Sequence, residues 1–119
     1  MVNLWATYCG YCINEMPGLE NISNSYDGLL VVGLLANAGE LPNTIDSKVA
    51  EAKEIIAIKG VSYLNILPSS SLAIDSLIDE RAYPTAVFLD GNGDILATYV
   101  GMRSETQWRT IIDPLLAAQ

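Results

Sequence analysis

The stretch that decides how this chain folds reads Val2-Asn3-Leu4-Trp5-Ala6-Thr7-Tyr8-Cys9-Gly10-Tyr11-Cys12. An apolar run comes first, and the only two cysteines of the chain follow it with two residues between them. A helical pattern begins at Gly10, so the segment predicts a strand that leads directly into a helix. Cys9 then lies at a helix N-terminus, where unpaired backbone N–H groups and the helix dipole favour a thiolate. This placement is typical of a thiol–disulfide active site.

Two other interpretations of the cysteine pair remain open. A structural disulfide is possible, but a bond that spans two residues constrains almost no chain and therefore stabilises little. A zinc site would need two more soft ligands, which the chain lacks unless two copies share the metal. The sequence has no histidine, which excludes Cys–His nucleophilic pairs and His-ligated metals. We expect no metal and no bound cofactor, with the Cys9–Cys12 disulfide itself as the redox-active group.

The length and net charge of the chain limit its domain organisation and its possible partners. The 119 residues are enough for one domain, residues 1–119, that buries a core of its own. Half of the residues are hydrophobic, with no long uninterrupted apolar run that would predict a spanning helix. The net charge is −8 and the six basic residues are scattered. We therefore expect neither nucleic acid as a partner nor membrane contact by this domain itself.

The hydrophobic pattern predicts alternating strands and helices. The predicted elements are a strand Val2–Ala6, a helix Gly10–Tyr26, a strand Leu29–Ala36, a helix opening at Pro42-Asn43, a strand Tyr63–Leu67, a short helix from Leu72 to Ile78, a hairpin of Thr85–Leu89 with Ile95–Val100, and a last helix opened by a capping box from Ser104 to Gln107. The inward stripe of the first helix contains Met16 and Leu19, and Pro17 lies within that stripe, where it should kink the helix.

The longer motif resembles a known family. Trp-Ala-Thr-Tyr-Cys-Gly-Tyr-Cys at 5–12, Glu15 and Pro17 behind it, and Tyr83-Pro84-Thr85 far downstream resemble the TlpA/ResA-like branch of the thioredoxin superfamily. The resemblance implies an α/β, thioredoxin-like fold with a central mixed sheet of four to five strands flanked by helices. Met1 lies eight residues before Cys9 with no signal sequence ahead of it. We therefore expect the N-terminal hairpin of the branch to be absent.

The resemblance also assigns roles near the cysteines. It implies that Cys9 is the nucleophile, that Cys12 is the resolving thiol, and that Glu15 helps to move the proton of Cys12. Glu15 lies one helical turn beyond Cys12, and a partly buried carboxylate can accept a proton near neutral pH. The alternative is an exposed glutamate on the helix surface.

Further residues are predicted to border the site. The resemblance implies a cis peptide bond before Pro84 and a Tyr83 backbone that pairs with an extended substrate segment. An ordinary trans proline at the start of a strand is the alternative. Tyr8 and Tyr11 are candidates for an exposed rim that contacts protein substrates. The remaining two site residues, Trp5 and Pro17, are expected to be structural.

These observations predict a thiol–disulfide oxidoreductase, a reductase or isomerase. The Gly-Tyr dipeptide between the cysteines is similar to that of a periplasmic disulfide isomerase and lacks the proline of strongly reducing thioredoxin. This resemblance implies a potential between about −270 mV for thioredoxin and about −120 mV for the strong oxidant DsbA. The expected partners are protein thiols and disulfides and an upstream redox protein. The resemblance implies an extracytoplasmic location. The alternatives are a non-catalytic binding domain and a peroxiredoxin-type peroxidase, although Thr7-Tyr8-Cys9 lacks the threonine spacing that such a peroxidase needs.

The strand order of the branch leads to one expectation about association. The strand that holds Trp5 should be central, between Leu29–Ala36 and Thr85–Leu89. Without the N-terminal hairpin, the outer edge of Leu29–Ala36 should be open, and this strand is apolar and carries no charge. We therefore expect a tendency to form a homodimer through that edge. The alternative is a monomer in which another segment, such as Tyr63–Leu67, covers the edge.

Overall fold

The computed structural model describes residues 1–77 and 81–119 as a mixed sheet with helices packed against it. The strands and helices, in chain order, are β1 (Val2–Trp5), α1 (Gly10–Ser25), β2 (Val32–Leu35), β3 (Gly39–Glu40), β4 (Asn43–Thr44), α2 (Asp46–Ile58), β5 (Leu64–Ile66), β6 (Thr85–Leu89), β7 (Ile95–Val100) and α3 (Glu105–Ala117). The main sheet has the order β5-β2-β1-β6-β7, and β3 with β4 forms a separate small ribbon.

The sheet is parallel on one side of β1 and antiparallel on the other. β1 pairs in parallel with β2, placing Trp5 opposite Leu35, and β2 pairs in parallel with β5. On the other side β1 pairs antiparallel with β6, and β6 forms a hairpin with β7. The parallel strands require long crossovers, which α1 and α2 provide. The predicted thioredoxin-like fold, with β1 at its centre, is confirmed.

The two faces of the sheet are both covered, so its central strands β1 and β6 are almost completely buried. Successive side chains of β6 point to opposite faces. Phe88 packs with Leu19 and Trp108 of the helices α1 and α3, whereas Val87 packs on the other face with Leu4. Burial on both faces explains why apolar residues dominate β1 and β6, in which Asn3 and Thr85 are the polar members.

The edge of β2 is not open, and the prediction of an exposed Leu29–Ala36 edge is wrong. β5 pairs along β2 from Val32 to Leu34. The indole N–H of Trp5 donates to Asn65 Oδ1 of β5 at 3.0 Å, across Gly33 of β2. A Cβ atom at Gly33 would overlap this amide oxygen. Because β5 covers this edge, the reason for expecting a homodimer no longer holds.

The middle of the chain differs most from its predicted elements. The second helix begins at Asp46, because Pro42-Asn43 instead belongs to the turn and strand of the β3–β4 ribbon. The predicted short helix is a single 3₁₀ turn, Ile74–Ser76, and its predicted end at Ile78 lies outside the described residues. Gly60, with a φ of +68°, follows the C-cap residue Lys59 and ends the second helix.

The first and last helices match the sequence closely. α1 begins at Gly10 and runs through Pro17, whose side chain is exposed and not part of the buried stripe. α3 begins after a capping box in which Ser104 and Gln107 bond reciprocally. Within residues 1–77 and 81–119, none of the helices combines the length and apolar character needed to cross a bilayer.

Candidate active site

The loop between β1 and α1 is held in place by its neighbour on the sheet. Asn37, just beyond β2, accepts a hydrogen bond from the Thr7 backbone N–H at 3.1 Å and donates its own amide to Thr7 Oγ1 at 2.7 Å. The N–H of Cys9 donates to the Ala6 carbonyl at 3.1 Å. These bonds hold Cys9 at the N-cap position of α1 in a fixed orientation.

Cys9 and Cys12 form a disulfide at the N-terminus of α1. Cys9 is the N-cap residue, and its Sγ accepts a hydrogen bond from the Cys12 backbone N–H at 3.1 Å. Cys9 is 8% exposed and Cys12 is fully buried. The first turn of α1 has no acidic residue to offset the positive end of the helix dipole. The geometry stabilises negative charge on Cys9 once the disulfide is reduced.

Apolar side chains surround the cysteine pair. Trp5 is buried and packs in one cluster with Cys9 and Cys12, and Tyr83 packs against that cluster while half-buried. The Tyr83–Pro84 peptide bond is cis, the geometry that the sequence predicts. The structure thus brings together Trp5, Cys9, Cys12 and Tyr83, and Pro84 follows Tyr83 through the cis bond.

Three other predicted site residues are exposed, unlike this cluster. Tyr8 and Tyr11 are 73% and 70% exposed on either side of Cys9 in the sequence. Pro17 is exposed further along α1. The two tyrosines are thus exposed, whereas the disulfide that lies beside them in the sequence is buried.

Glu15 points into the protein and not to solvent. Its residue is 3% exposed, one helical turn beyond Cys12. Its Oε2 accepts a hydrogen bond from Trp108 Nε1 at 3.0 Å and another from the Arg103 backbone N–H at 2.9 Å. Its Oε1 is buried and has no hydrogen-bond partner among the described residues. The alternative of an exposed surface glutamate is wrong.

The surroundings of Glu15 favour its neutral form. Burial raises the pKa of the Glu15 carboxyl above its ordinary value, and the hydrogen bonds from Arg103 and Trp108 and the Arg103 charge oppose this only in part. Nearby, burial raises the pKa of the Tyr63 phenol, and the charge of Glu15 raises it further. A carboxyl group with a raised pKa can exchange protons closer to neutral pH than a surface glutamate.

Three residues that position the site were not found from the sequence. Asn37 holds the loop before Cys9, while Trp108 and Arg103 hold Glu15. Trp108 and Glu15 are 93 positions apart in the chain. Trp108 could be read only as a core residue of the last helix, because no local pattern shows where an indole N–H points.

Within the part of the chain that the structure describes, no group of three or more His, Cys, Asp or Glu residues is arranged to hold an ion.

Several known proteins are similar to this chain. It is 26% identical to thiol-disulfide oxidoreductase ResA of Halalkalibacterium halodurans over 106 residues, 87% of this chain and 54% of that protein. It is 30% identical to thiol:disulfide interchange protein HelX of Rhodobacter capsulatus over 119 residues, 98% of this chain and 60% of that protein. No protein-family model matches the chain. The chain thus spans somewhat more than half the length of these relatives.

The fold has a close counterpart among solved structures. A thiol:disulfide interchange protein of the thioredoxin family from Chlorobium tepidum superimposes with a TM-score of 0.76 at 24% identity, covering 97% of this chain and 77% of that one. This likeness shows the fold. Together with the names of the sequence relatives, the disulfide at the start of α1 supports a redox function for the Cys9–Cys12 pair.

Proposed function

Because this chain is a TlpA/ResA-like member of the thioredoxin superfamily, we propose that it is a thiol–disulfide oxidoreductase acting on protein substrates as a reductase or isomerase. The observation that carries the proposal is the Cys9–Cys12 disulfide, with Cys9 as the N-cap of α1. A structural disulfide would not need its first sulfur at a helix N-terminus. A redox pair does, because the nucleophile is the thiolate.

In the reducing direction the cycle starts at Cys9. Its thiolate attacks one sulfur of a substrate disulfide, the substrate S–S bond breaks, and the other substrate sulfur leaves as a thiolate. Cys12 then loses its thiol proton, and its sulfur attacks Cys9 Sγ, so that the substrate leaves as a second thiolate. Two electrons have passed to the substrate, and the protein is left in the disulfide state of this structure.

Glu15 is proposed as the group that accepts the proton of Cys12. The carboxyl group lies one turn from Cys12 on the same helix and is buried with it. Desolvation raises its pKa, which brings its proton exchange toward neutral pH. The exposed tyrosines Tyr8 and Tyr11, together with Tyr83 and Pro84, are proposed to contact the substrate.

The proposed cycle needs partners but no resident cofactor. The disulfide is itself the redox group, and an upstream dithiol protein would reduce it again after each turnover. We place the protein outside the cytoplasm, by analogy with its family. The reduction potential of the Cys9–Cys12 pair is proposed to lie between about −270 mV, the value for thioredoxin, and about −120 mV, the value for the strong oxidant DsbA.

Insulin reduction tests the proposed activity. The protein should accelerate insulin precipitation by dithiothreitol, and Cys9→Ser should reduce the rate to that of dithiothreitol alone. The matched control is Ser23→Ala, a change in the same helix away from the disulfide. If the unaltered protein is no faster than Cys9→Ser, the chain is a non-catalytic binding domain and the proposal fails.

A further inference from the structure

The two carboxylate oxygens of Glu15 have different surroundings. Oε2 accepts two hydrogen bonds, from the Trp108 indole at 3.0 Å and from the Arg103 backbone N–H at 2.9 Å. A carboxylate oxygen has two lone pairs in the carboxylate plane, so these donors occupy both. Oε1 is buried and accepts no hydrogen bond from residues 1–77 or 81–119. An arriving proton therefore finds its free lone pairs on Oε1.

Both donors to Oε2 are fixed by contacts away from the cysteines. The Trp108 ring packs against Phe88 and Tyr99, with centroids 6.0 and 6.1 Å away. The Arg103 guanidinium lies over the rings of Tyr99 and Trp108, at 5.0 and 5.4 Å from their centroids, and donates to two backbone carbonyls at the end of β7. Side-chain packing thus determines where the indole N–H points.

We propose that Trp108 is a positioning residue for Glu15: its indole N–H, with the Arg103 backbone N–H, holds Oε2 and leaves Oε1 as the oxygen that takes the proton of Cys12. This inference rests on the proposed function. In the step itself the Cys12 S–H bond breaks, the proton moves to Oε1, and the electron pair stays on sulfur. That sulfur then attacks Cys9 Sγ, and the mixed disulfide breaks.

The charged and titratable groups around Glu15 set its pKa together with the Trp108 indole, and they remain in place when the indole is removed. The Arg103 guanidinium stabilises the charged form of Glu15. The charge of Glu15 in turn raises the pKa of the nearby Tyr63 phenol. Cys12 precedes it by one turn and is held in the disulfide. Deleting the indole N–H removes a hydrogen bond that is stronger to the charged carboxylate than to the neutral acid. The proton affinity of Glu15 should then rise.

Trp108→Phe tests this in the oxidised protein, where neither cysteine titrates. The phenylalanine keeps an aromatic ring between Phe88 and Tyr99 but has no N–H. The titration midpoint of the Glu15 carboxyl carbon, followed by carbon NMR, should move up by about one pH unit. Tyr99→Phe, which alters the same cluster and keeps the indole, should leave the midpoint in place. Superimposable titrations of Trp108→Phe and the unaltered protein would overturn the proposal.

A second measurement needs no substitution of Trp108. The indole N–H resonance of Trp108 should shift with pH in step with the Glu15 titration, and this shift should be lost in Glu15→Gln. The Trp5 indole, which donates to the neutral Asn65 amide, is an internal control and should stay constant. A Trp108 resonance that does not follow the titration of Glu15 would contradict the proposed role of the indole N–H, even if Trp108→Phe failed to fold.

Kinetics separate this inference from the proposed function. Trp108→Phe should slow the release of a mixed disulfide from Cys9, and it should add nothing in a Glu15→Gln background. If Glu15→Gln slows release while Trp108→Phe shifts neither titration nor rate, only the role of Trp108 is wrong. If neither substitution changes the rate, the proton role of Glu15 fails and the positioning role fails with it.

Discussion

The outer and inner sides of the first turns of α1 differ in exposure, chemistry and neighbours. On the outer side Tyr8 and Tyr11 are 73% and 70% exposed and flank Cys9 in the sequence. On the inner side Glu15 is 3% exposed and is bonded to the last helix through Trp108. Disulfide exchange needs a sulfur that a protein substrate can approach. Proton transfer from the second sulfur benefits from a desolvated carboxyl group, so the two tasks need opposite environments.

The largest expected effect comes from removing the inner sulfur. Cys12→Ser should leave the attack by Cys9 intact and should trap the substrate as a mixed disulfide, because nothing attacks Cys9 from within. Multiple turnover should fall more than about a hundredfold relative to the unaltered protein, an effect of the size that loss of a catalytic group produces. Non-reducing mass spectrometry after a single substrate addition would detect the adduct. Release as fast as in the unaltered protein would show that the inner side has no resolving role.

Glu15→Gln should have the next largest effect. The amide cannot accept the proton of Cys12, so release from Cys9 should slow by roughly tenfold to a hundredfold near neutral pH. Stopped-flow measurement of release across pH would show this. Glu54→Gln, an exposed change on α2, is the control and should leave the profile unchanged. Identical profiles for Glu15→Gln and the unaltered protein would remove Glu15 from the mechanism.

The outer rim should affect substrate use and not stability. Replacing both Tyr8 and Tyr11 with serine should raise the KM for a protein substrate by about fivefold, because exposed aromatic contacts are lost. Reaction with a small disulfide should be unaffected, since such a substrate does not reach the rim. Ile58→Ser removes a similarly exposed apolar side chain at the far end of α2 and should change neither value. Equal losses with both substrates would contradict the assignment of the rim.

The smallest expected effect is the contribution of Glu15 to the pH dependence of the free energy of unfolding. The folded-state pKa of Glu15 is raised, so the folded protein binds the proton more tightly than the unfolded chain. Its contribution is therefore fully present below about pH 4.3, the ordinary value for glutamate, and is lost as pH rises through the folded-state pKa. The free energy of unfolding, relative to Glu15→Gln, should decrease over that range. A difference that increases with pH would show that the pKa is instead lowered.

The sequence predicted the outer side better than the inner one. The strand, the turn and the helix that carry the cysteines are local, and the α1 start at Gly10 and the β6–β7 hairpin are confirmed. The bond between Trp108 and Glu15 joins residues far apart in the chain and depends on packing. The sequence named Tyr63–Leu67 only as an alternative cover for the Leu29–Ala36 edge, because the three exposed or half-buried residues of β5 give little periodic signal. Features that depend on neighbouring residues in the chain could be predicted from the sequence, whereas contacts between distant residues required the structure.

Alkylation of the reduced protein at both cysteines tests the central comparison most directly. With iodoacetamide at neutral pH, mass spectrometry of the two sites should find Cys9 modified much faster than Cys12, because Cys9 caps the helix and Cys12 is fully buried. The difference should persist when Tyr8 and Tyr11 are replaced, since it depends on the helix N-terminus and on burial. Cys12 modified as fast as Cys9 would contradict the division between an outer nucleophile and an inner resolving sulfur.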